Sequence, residues 1–363
     1  MDNKKIRNVA FALHRYIGLV VGIILIIVGL TGSLLVFQKE IDHFLIGQQF
    51  GRLTPQQQPI SLEKIFQNVQ ETYKNRPDLK LDSISLNTAP DLPSQVWLKS
   101  QDDEWIEVLV NPYNNEILGT RQWENTLFGI TYQLHYALLA GEPGIIIVGI
   151  AALFLFILSV TGLVLWPGWP KRVNFDLHKV AGIISVVFLA MIAFTGFCWN
   201  FYEQTEPLIY AVTFSPQPVE PVSQVIPGAT TMNLTEIIQR AETALPGGKI
   251  TYFGIPSEPE GVFHLHKQLP GQKDQSSSEV NLDRYTGKVL KVTDGTQSLS
   301  LGETILNAFT PMHYGTFGGI PTRILYVFVG LAPTILFITG LVMYRLRRRP
   351  QKVTETSRQL IER

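Results

Sequence analysis

Residues 11–37 read FALHRYIGLVVGIILIIVGLTGSLLVF, and residues 175–201 read FDLHKVAGIISVVFLAMIAFTGFCWNF. Both are dominated by apolar residues over more than the roughly 20 positions that a helix needs to cross a hydrocarbon core. Both place Leu-His near the start, a glycine four residues after the histidine, and Thr-Gly near the far end. Leu13, His14, Gly18, Leu25, Thr31, Gly32 and Phe37 recur at an offset of 164 as Leu177, His178, Gly182, Leu189, Thr195, Gly196 and Phe201. A membrane helix written twice, histidine included, points to a duplicated membrane protein.

Two further apolar stretches, about 145–166 and 324–344, complete a set of four spans. Here His135-Tyr136, Gly141, Pro143, Leu153 and Thr161-Gly162 recur at an offset of 178 as His313-Tyr314, Gly319, Pro321, Leu331 and Thr339-Gly340. Between the spans lie two long segments that align at an offset of 172, from Ser61 and Asn233 through Tyr113 and Tyr285. Each reads as a small α+β module. In the first, Ser61 caps a helix to about Tyr73 and strands follow near 81–87, 95–100 and 105–110. In the second, Asn233-Leu-Thr-Glu236 has the form of a capping box, with strands near 251–255, 261–267 and 278–282. The offset only grows along the chain, as a duplication with small insertions requires. Each half has two crossings, so the repeats are parallel, related by an axis along the membrane normal.

The expected fold is a four-helix membrane bundle from two tandem repeats, each with an extracytoplasmic module. Its boundaries are a first span at 1–37, a module at 38–122, an interfacial helix with the second span at 123–176, and a third span at 177–202. A second module follows at 203–300, then an interfacial helix with the fourth span at 301–345 and a basic tail at 346–363. The first span resembles a signal peptide only at its basic start; its core exceeds the 7–15 residues of such a region, and it is read as retained. Lys4, Lys5, Arg7 and Arg15, then Lys171, Arg172 and Lys179, then Arg345, Arg347, Arg348 and Arg349 put both termini and the short central loop in the cytoplasm.

Composition agrees: of 363 residues 45% are hydrophobic and 17% charged, and the formal net charge is zero. No basic face offers itself to nucleic acid. The single cysteine, Cys198, excludes an intrachain disulfide, a thiol-based metal site and covalent haem attachment. No span core contains Asp or Glu, which argues against an ion path.

The duplication keeps four of the seven histidines. A pseudo-two-fold through the bundle turns His14 toward His178 at one end and His135 toward His313 at the other. That gives one bis-imidazole site near each membrane face, suited to haem iron. Gly18 and Gly182 share their histidines' helix face and open the backbone for a flat macrocycle. The bland readings stand beside these: hydrogen-bonded interfacial histidines, and glycines that merely let helices pack. The four Thr-Gly steps divide between packing and cofactor contact and receive no chemistry. His264 and His266 point to one face of a strand, as substrate-side candidates for a metal or ferric ligand, with a solvated strand face as the default.

LHRYIG at 13–18, TGSLLVF at 31–37, LHYALLAG at 134–141, TGLVLW at 161–166 and VNLDRYTGKV at 280–289 resemble the PepSY-associated transmembrane helix family, over nearly the whole chain. The resemblance implies PepSY-like outer modules, a bacterial inner-membrane location and two non-covalent b-type haems. His14, His178, His135 and His313 would be the ligands, in a protein that reduces ferric siderophores arriving in the periplasm. The inner segments are too short for a flavin or nicotinamide domain, so the electron donor is another molecule, a quinol or a cytoplasmic reductase. The alternative is a non-redox membrane protein whose modules bind peptide or protein partners.

Overall fold

The computed structural model describes residues 3–56, 59–86, 89–166, 173–271, 278–295 and 298–348. Lys171, Arg172 and the tail from Arg349 onward, which bear on orientation, lie outside the described residues. In chain order the elements are α1 (Asn3–Leu35), α2 (Gln38–Phe50), α3 (Leu62–Thr72), β1 (Leu79–Ser85), β2 (Ser94–Ser100), β3 (Trp105–Val110) and β4 (Ile117–Gln122). There follow α4 (Leu127–Ala137), α5 (Gly141–Leu165), α6 (Val173–Asn200), α7 (Tyr202–Val212), α8 (Leu234–Ala244) and β5 (Lys249–Gly254). The chain goes on through β6 (Val262–Gln268), β7 (Ser278–Asp283), β8 (Val289–Thr293), α9 (Leu301–Tyr314) and α10 (Ile320–Arg348). It divides into a helical unit of Met1–Phe37, Thr131–Val212 and Thr304–Arg363, and a sheet unit of Gln38–Ile130 and Thr213–Glu303.

Four helices of the helical unit are long and apolar enough to span a bilayer: Lys4–Leu35, Gly141–Leu165, Phe175–Asn200 and Ile320–Arg347. This is a multi-pass membrane protein. α1 packs on α5 and α10, and α6 packs on the same two, so α1 and α6 face each other across a ring of four. Between helices in lipid there is little hydrophobic gain, and close backbone approach has to supply the attraction. α1 and α10 approach at Gly29 and Gly330, where a side chain on either would strike the other's backbone carbonyl. Ser33 Oγ, in the next turn, donates to the Val327 carbonyl at 2.9 Å.

The sheet unit is one antiparallel sheet of eight strands in the order β4-β3-β2-β1-β5-β6-β7-β8. The two expected modules are therefore fused: Ser83, Ile84 and Ser85 of β1 pair with Gly254, Phe253 and Tyr252 of β5. Either module alone would leave that strand as an open edge, and pairing the two edges removes the liability. One face carries the core, where Ile65 and Val69 of α3 and Ile237 and Ala241 of α8 meet Ile84, Val96, Val108, Phe253, Leu265 and Val280. The turn after β3 is closed by Asn111 Oδ1 taking the Tyr113 amide at 2.9 Å, with Asn115 at φ 65°. The turn after β7 is closed by Asp283 Oδ1 taking the Tyr285 amide at 3.0 Å, with Gly287 at φ 62°.

Three features differ from the sequence reading. β4 and β8, two strands beyond those expected, complete the sheet at its two edges. α2 and α7 continue almost directly from α1 and α6 after breaks of one or two residues. Ser61 holds the N-cap position of α3 but its side chain makes no capping bond, whereas Asn233 Oδ1 accepts from the Thr235 amide at 2.8 Å.

Candidate functional site

Each of four Thr-Gly steps in the spanning helices serves a histidine of another helix. His14 of α1 meets Thr161 of α5 at 3.0 Å, and His178 of α6 meets Thr339 of α10 at 2.8 Å. His135, in the last turn of α4, meets Thr31 of α1 at 3.1 Å; His313, near the end of α9, meets Thr195 of α6 at 2.8 Å. In all four the imidazole atom is Nδ1. The threonine hydroxyls spend their own protons one turn back, on the carbonyls of Ile157, Ile335, Ile27 and Met191 at 2.6–2.9 Å. Their oxygens are left to accept, so each Nδ1 carries the ring proton and donates it. For His135 the Val28 carbonyl, which can only accept, is a second partner at 2.9 Å. With the proton on Nδ1, the Nε2 lone pair is free to bind a Lewis acid.

The following glycine lets the ring lie against the helix. A Cβ at Gly32 would stand 2.9 Å from His135 Cε1, one at Gly196 3.2 Å from His313 Cε1, and one at Gly162 3.4 Å from His14 Cε1. At Gly340 the distance to His178 Cε1 is a looser 3.7 Å. The steps that received no chemistry from the sequence thus hold the four histidines. What sequence does not show is which helix each step faces, since donor and acceptor are more than a hundred residues apart.

The rings are brought together in two pairs. His14 and His178 have centroids 6.2 Å apart at 81° between planes; His135 and His313 have centroids 6.2 Å apart at 76°. All four are half-buried. Among the described residues, every hydrogen bond of these rings runs through Nδ1. Two imidazoles sharing one metal by bonds of about 2.0–2.1 Å have ring centroids about 6.3 Å apart, allowing roughly 1.1 Å from nitrogen to centroid. The observed centroid spacing matches that of two imidazoles sharing one metal ion. Thr31, beside the second pair, is 17 residues along α1 from His14, a rise of about 25 Å along the helix.

The second pair is reached by a sharp end to each short helix. After His135, Leu138 and Leu139 take φ 50° and 57°, a left-handed backbone that costs non-glycine residues of order 1–3 kcal/mol each. After His313 the same role falls to Gly315 at φ 69°. Trp199 packs on His313 at 4.8 Å between ring centroids. Gly18 and Gly182 are under less pressure, since a Cβ there would meet Leu158 or Leu336 in ordinary contact at 3.7 Å.

His264 and His266 lie on the sheet face away from α3 and α8. His264 Nδ1 contacts Glu279 Oε1 at 3.2 Å, and His266 stands edge-on to Tyr252 at 5.1 Å. The Glu279 carboxylate raises the His264 pKa and is itself held low by the imidazole, while burial lowers that of His266. Among the described residues no group of three or more His, Cys, Asp or Glu is placed to hold a metal ion.

A comparison with curated proteins gives no match. A family profile, that of the PepSY-associated TM region, matches residues 11–347. With four spanning helices joined to a helix-backed antiparallel sheet, and a match over nearly its whole length, the chain belongs to the PepSY-associated TM region family.

Proposed function

We propose that each imidazole pair holds one b-type haem without covalent attachment, and that the chain carries electrons across the membrane to reduce ferric siderophores on the periplasmic side. The observation that carries this reading is the matched pair of sites: two histidine rings with centroids 6.2 Å apart in each, with every Nδ1 fixed by a threonine. A haem bound there supplies reversible one-electron chemistry at a potential set by its axial ligands and surroundings.

The protein's own contribution is positional. Thr161, Thr339, Thr31 and Thr195 fix ring tautomer and orientation and raise ligand basicity, as partners of metal-bound histidines do. The apolar spans around the sites exclude water and lower the local dielectric. A quinol or a cytoplasmic reductase gives up the electron on the inner side, the side that the basic segments favour for both termini. The ferric complex takes that electron on the other side, and the Fe(II) formed is held more weakly by oxygen-rich chelators. The repeated residues and the shared order of elements in the two halves support descent from one duplicated unit, which would supply two equivalent sites in one step.

Optical spectra of the detergent-purified protein, oxidised and dithionite-reduced, test the reading, with haem quantified per chain. Two haems with a low-spin bis-histidine spectrum are expected. Because the paired rings stand nearly perpendicular, the ferric EPR signal should be of the strongly anisotropic low-spin type. A colourless protein from haem-replete cells would sink the redox reading and leave peptide or protein binding by the sheet unit as the function to pursue.

A further inference from the structure

The sheet face away from α3 and α8 carries a glutamate at one register position in each half of the sheet. On β3, Glu107 lies between Trp97 of β2 and Arg121 of β4; on β7, Glu279 lies between His266 of β6 and Thr293 of β8. Each glutamate takes a contact from the strand before it, Glu107 from Gln95 Nε2 at 2.6 Å and Glu279 from His264 Nδ1 at 3.2 Å. There the likeness stops. The guanidinium of Arg121 donates to Glu107 and, by two bonds of 2.8 and 2.6 Å, to Asp42 of α2, and Glu107 is fully buried. In the other half Thr293 stands where Arg121 stands, and Glu279 and His264 are 32% and 45% exposed.

The open position holds a carboxylate and an imidazole and lacks the guanidinium of the first half. Asn281, cross-strand from His264, is 2% exposed; its side chain interacts with His264 and Glu279 and favours their charged forms, while its buried oxygen lacks a well-formed hydrogen bond. The Glu279 carboxylate is 32% exposed, and Glu220 adds negative charge near His264. The cation on the neighbouring strand, Lys291, is registered with Asn281 rather than Glu279 and interacts with Glu303. A planar cation with several N–H donors would meet the exposed Glu279 carboxylate as Arg121 meets Glu107 in the first half.

We infer that the face around Glu279, His264 and Asn281 is a binding site for a guanidinium group, of the kind an arginine side chain presents. The first half of the sheet is its template, already filled from within. This site is independent of the haem reading and stands or falls separately.

The test uses the full-length protein in lipid nanodiscs, titrated with acetyl-Ala-Arg-Ala-amide, its citrulline counterpart and free arginine. The arginine peptide should bind saturably and the neutral, near-isosteric citrulline peptide should not. Glu279→Gln, at a partly exposed position, should weaken binding about tenfold or more, the usual cost of a lost charge-assisted pair. Thr293→Arg, which supplies the missing guanidinium from within, should abolish it while leaving the melting transition in place. Tighter binding of the peptide than of free arginine identifies a polypeptide ligand; equal binding identifies the free small molecule. The proposal is overturned if no arginine probe binds, if citrulline binds equally well, or if both variants bind as the parent does.

Discussion

His14 and Thr161 meet at one end of the helical unit as His178 and Thr339 do, by hydrogen bonds of 3.0 and 2.8 Å, and the two imidazole pairs share a spacing of 6.2 Å. In the sheet unit, Glu107 and Glu279 hold equivalent register positions and have opposite surroundings, one sealed by Arg121 and Asp42, the other open. On the proposed function each site needs two ligands of the same kind, one from each half, and loss of either removes the pair. A sheet face carries no such obligation. One half of the sheet is sealed and the other is accessible.

The largest effect expected from this contrast is at Arg121. Its removal leaves Asp42 and Glu107 as buried carboxylates without a counter-ion, and breaking a buried pair in this way costs about 3–5 kcal/mol. Arg121→Ala should therefore lower unfolding stability by that amount and release α2 from the sheet, seen as faster amide exchange over Gln38–Phe50. Glu279→Gln should change stability by well under 1 kcal/mol, as surface pairs do. Equal effects in the two halves would end the distinction between a sealed and an open face.

Next in size are the threonines. Thr161→Val and Thr339→Val each replace the acceptor of an Nδ1–H by a methyl group, and losing such an outer partner typically costs 10–100-fold in metal affinity. On the proposed function, haem at the His14–His178 pair should dissociate at least about tenfold more readily in either variant. The two variants should match. A loss confined to one would show that the matched geometry hides unequal sites.

Much of this was legible in the sequence because membrane helices must be continuous and apolar, and because repetition of His14, Thr31 and Gly32 as His178, Thr195 and Gly196 can be counted. The sheet was read less completely. β4, with Gly119 in its middle beneath the ring of Phe50, has no alternating pattern to find, and the side chain that anchors it, Arg121, pairs with a residue 79 positions earlier. The join of β1 to β5 was invisible for the same reason: nothing in Ser83–Ser85 names Tyr252–Gly254 as its partner until the sheet is built. The Thr-Gly steps were seen but not understood, because a hydroxyl beside a glycine has no chemistry of its own until an imidazole arrives from another helix.

The two modules also begin their helices differently. Asn233 caps α8 through its side chain, while Ser61 caps α3 by position alone. Asn233→Ala should cost about 1 kcal/mol and Ser61→Ala only a few tenths. Comparable losses would mean that Ser61 makes its bond in solution, and the two modules would be closer in energetics than in geometry.

The smallest effect is a pH dependence at the open face, and its sign can be worked out. The His264 pKa is raised above its ordinary 6.5, chiefly by the hydrogen bond to Glu279. Its contribution to stability is therefore complete below 6.5 and lost as pH rises through the raised value. The Glu279 pKa is lowered from its ordinary 4.5, chiefly by the bond to His264, so its contribution is complete above 4.5 and lost as pH falls through the lowered value. The pair stabilises fully only between the two. His266, whose pKa burial lowers, works against it as the solution turns acid, because charging that ring on folding is unfavourable. His264→Gln installs the residue type that Gln95 provides opposite Glu107, keeping a hydrogen-bond donor and removing the titratable charge. For a pair this exposed the loss should be about 0.2–1 kcal/mol near pH 5.5 and should vanish by pH 8.5. An equal loss at both pH values would mean that His264 matters through packing alone, and that the open half of the sheet is held together without the charge that distinguishes it from the sealed half.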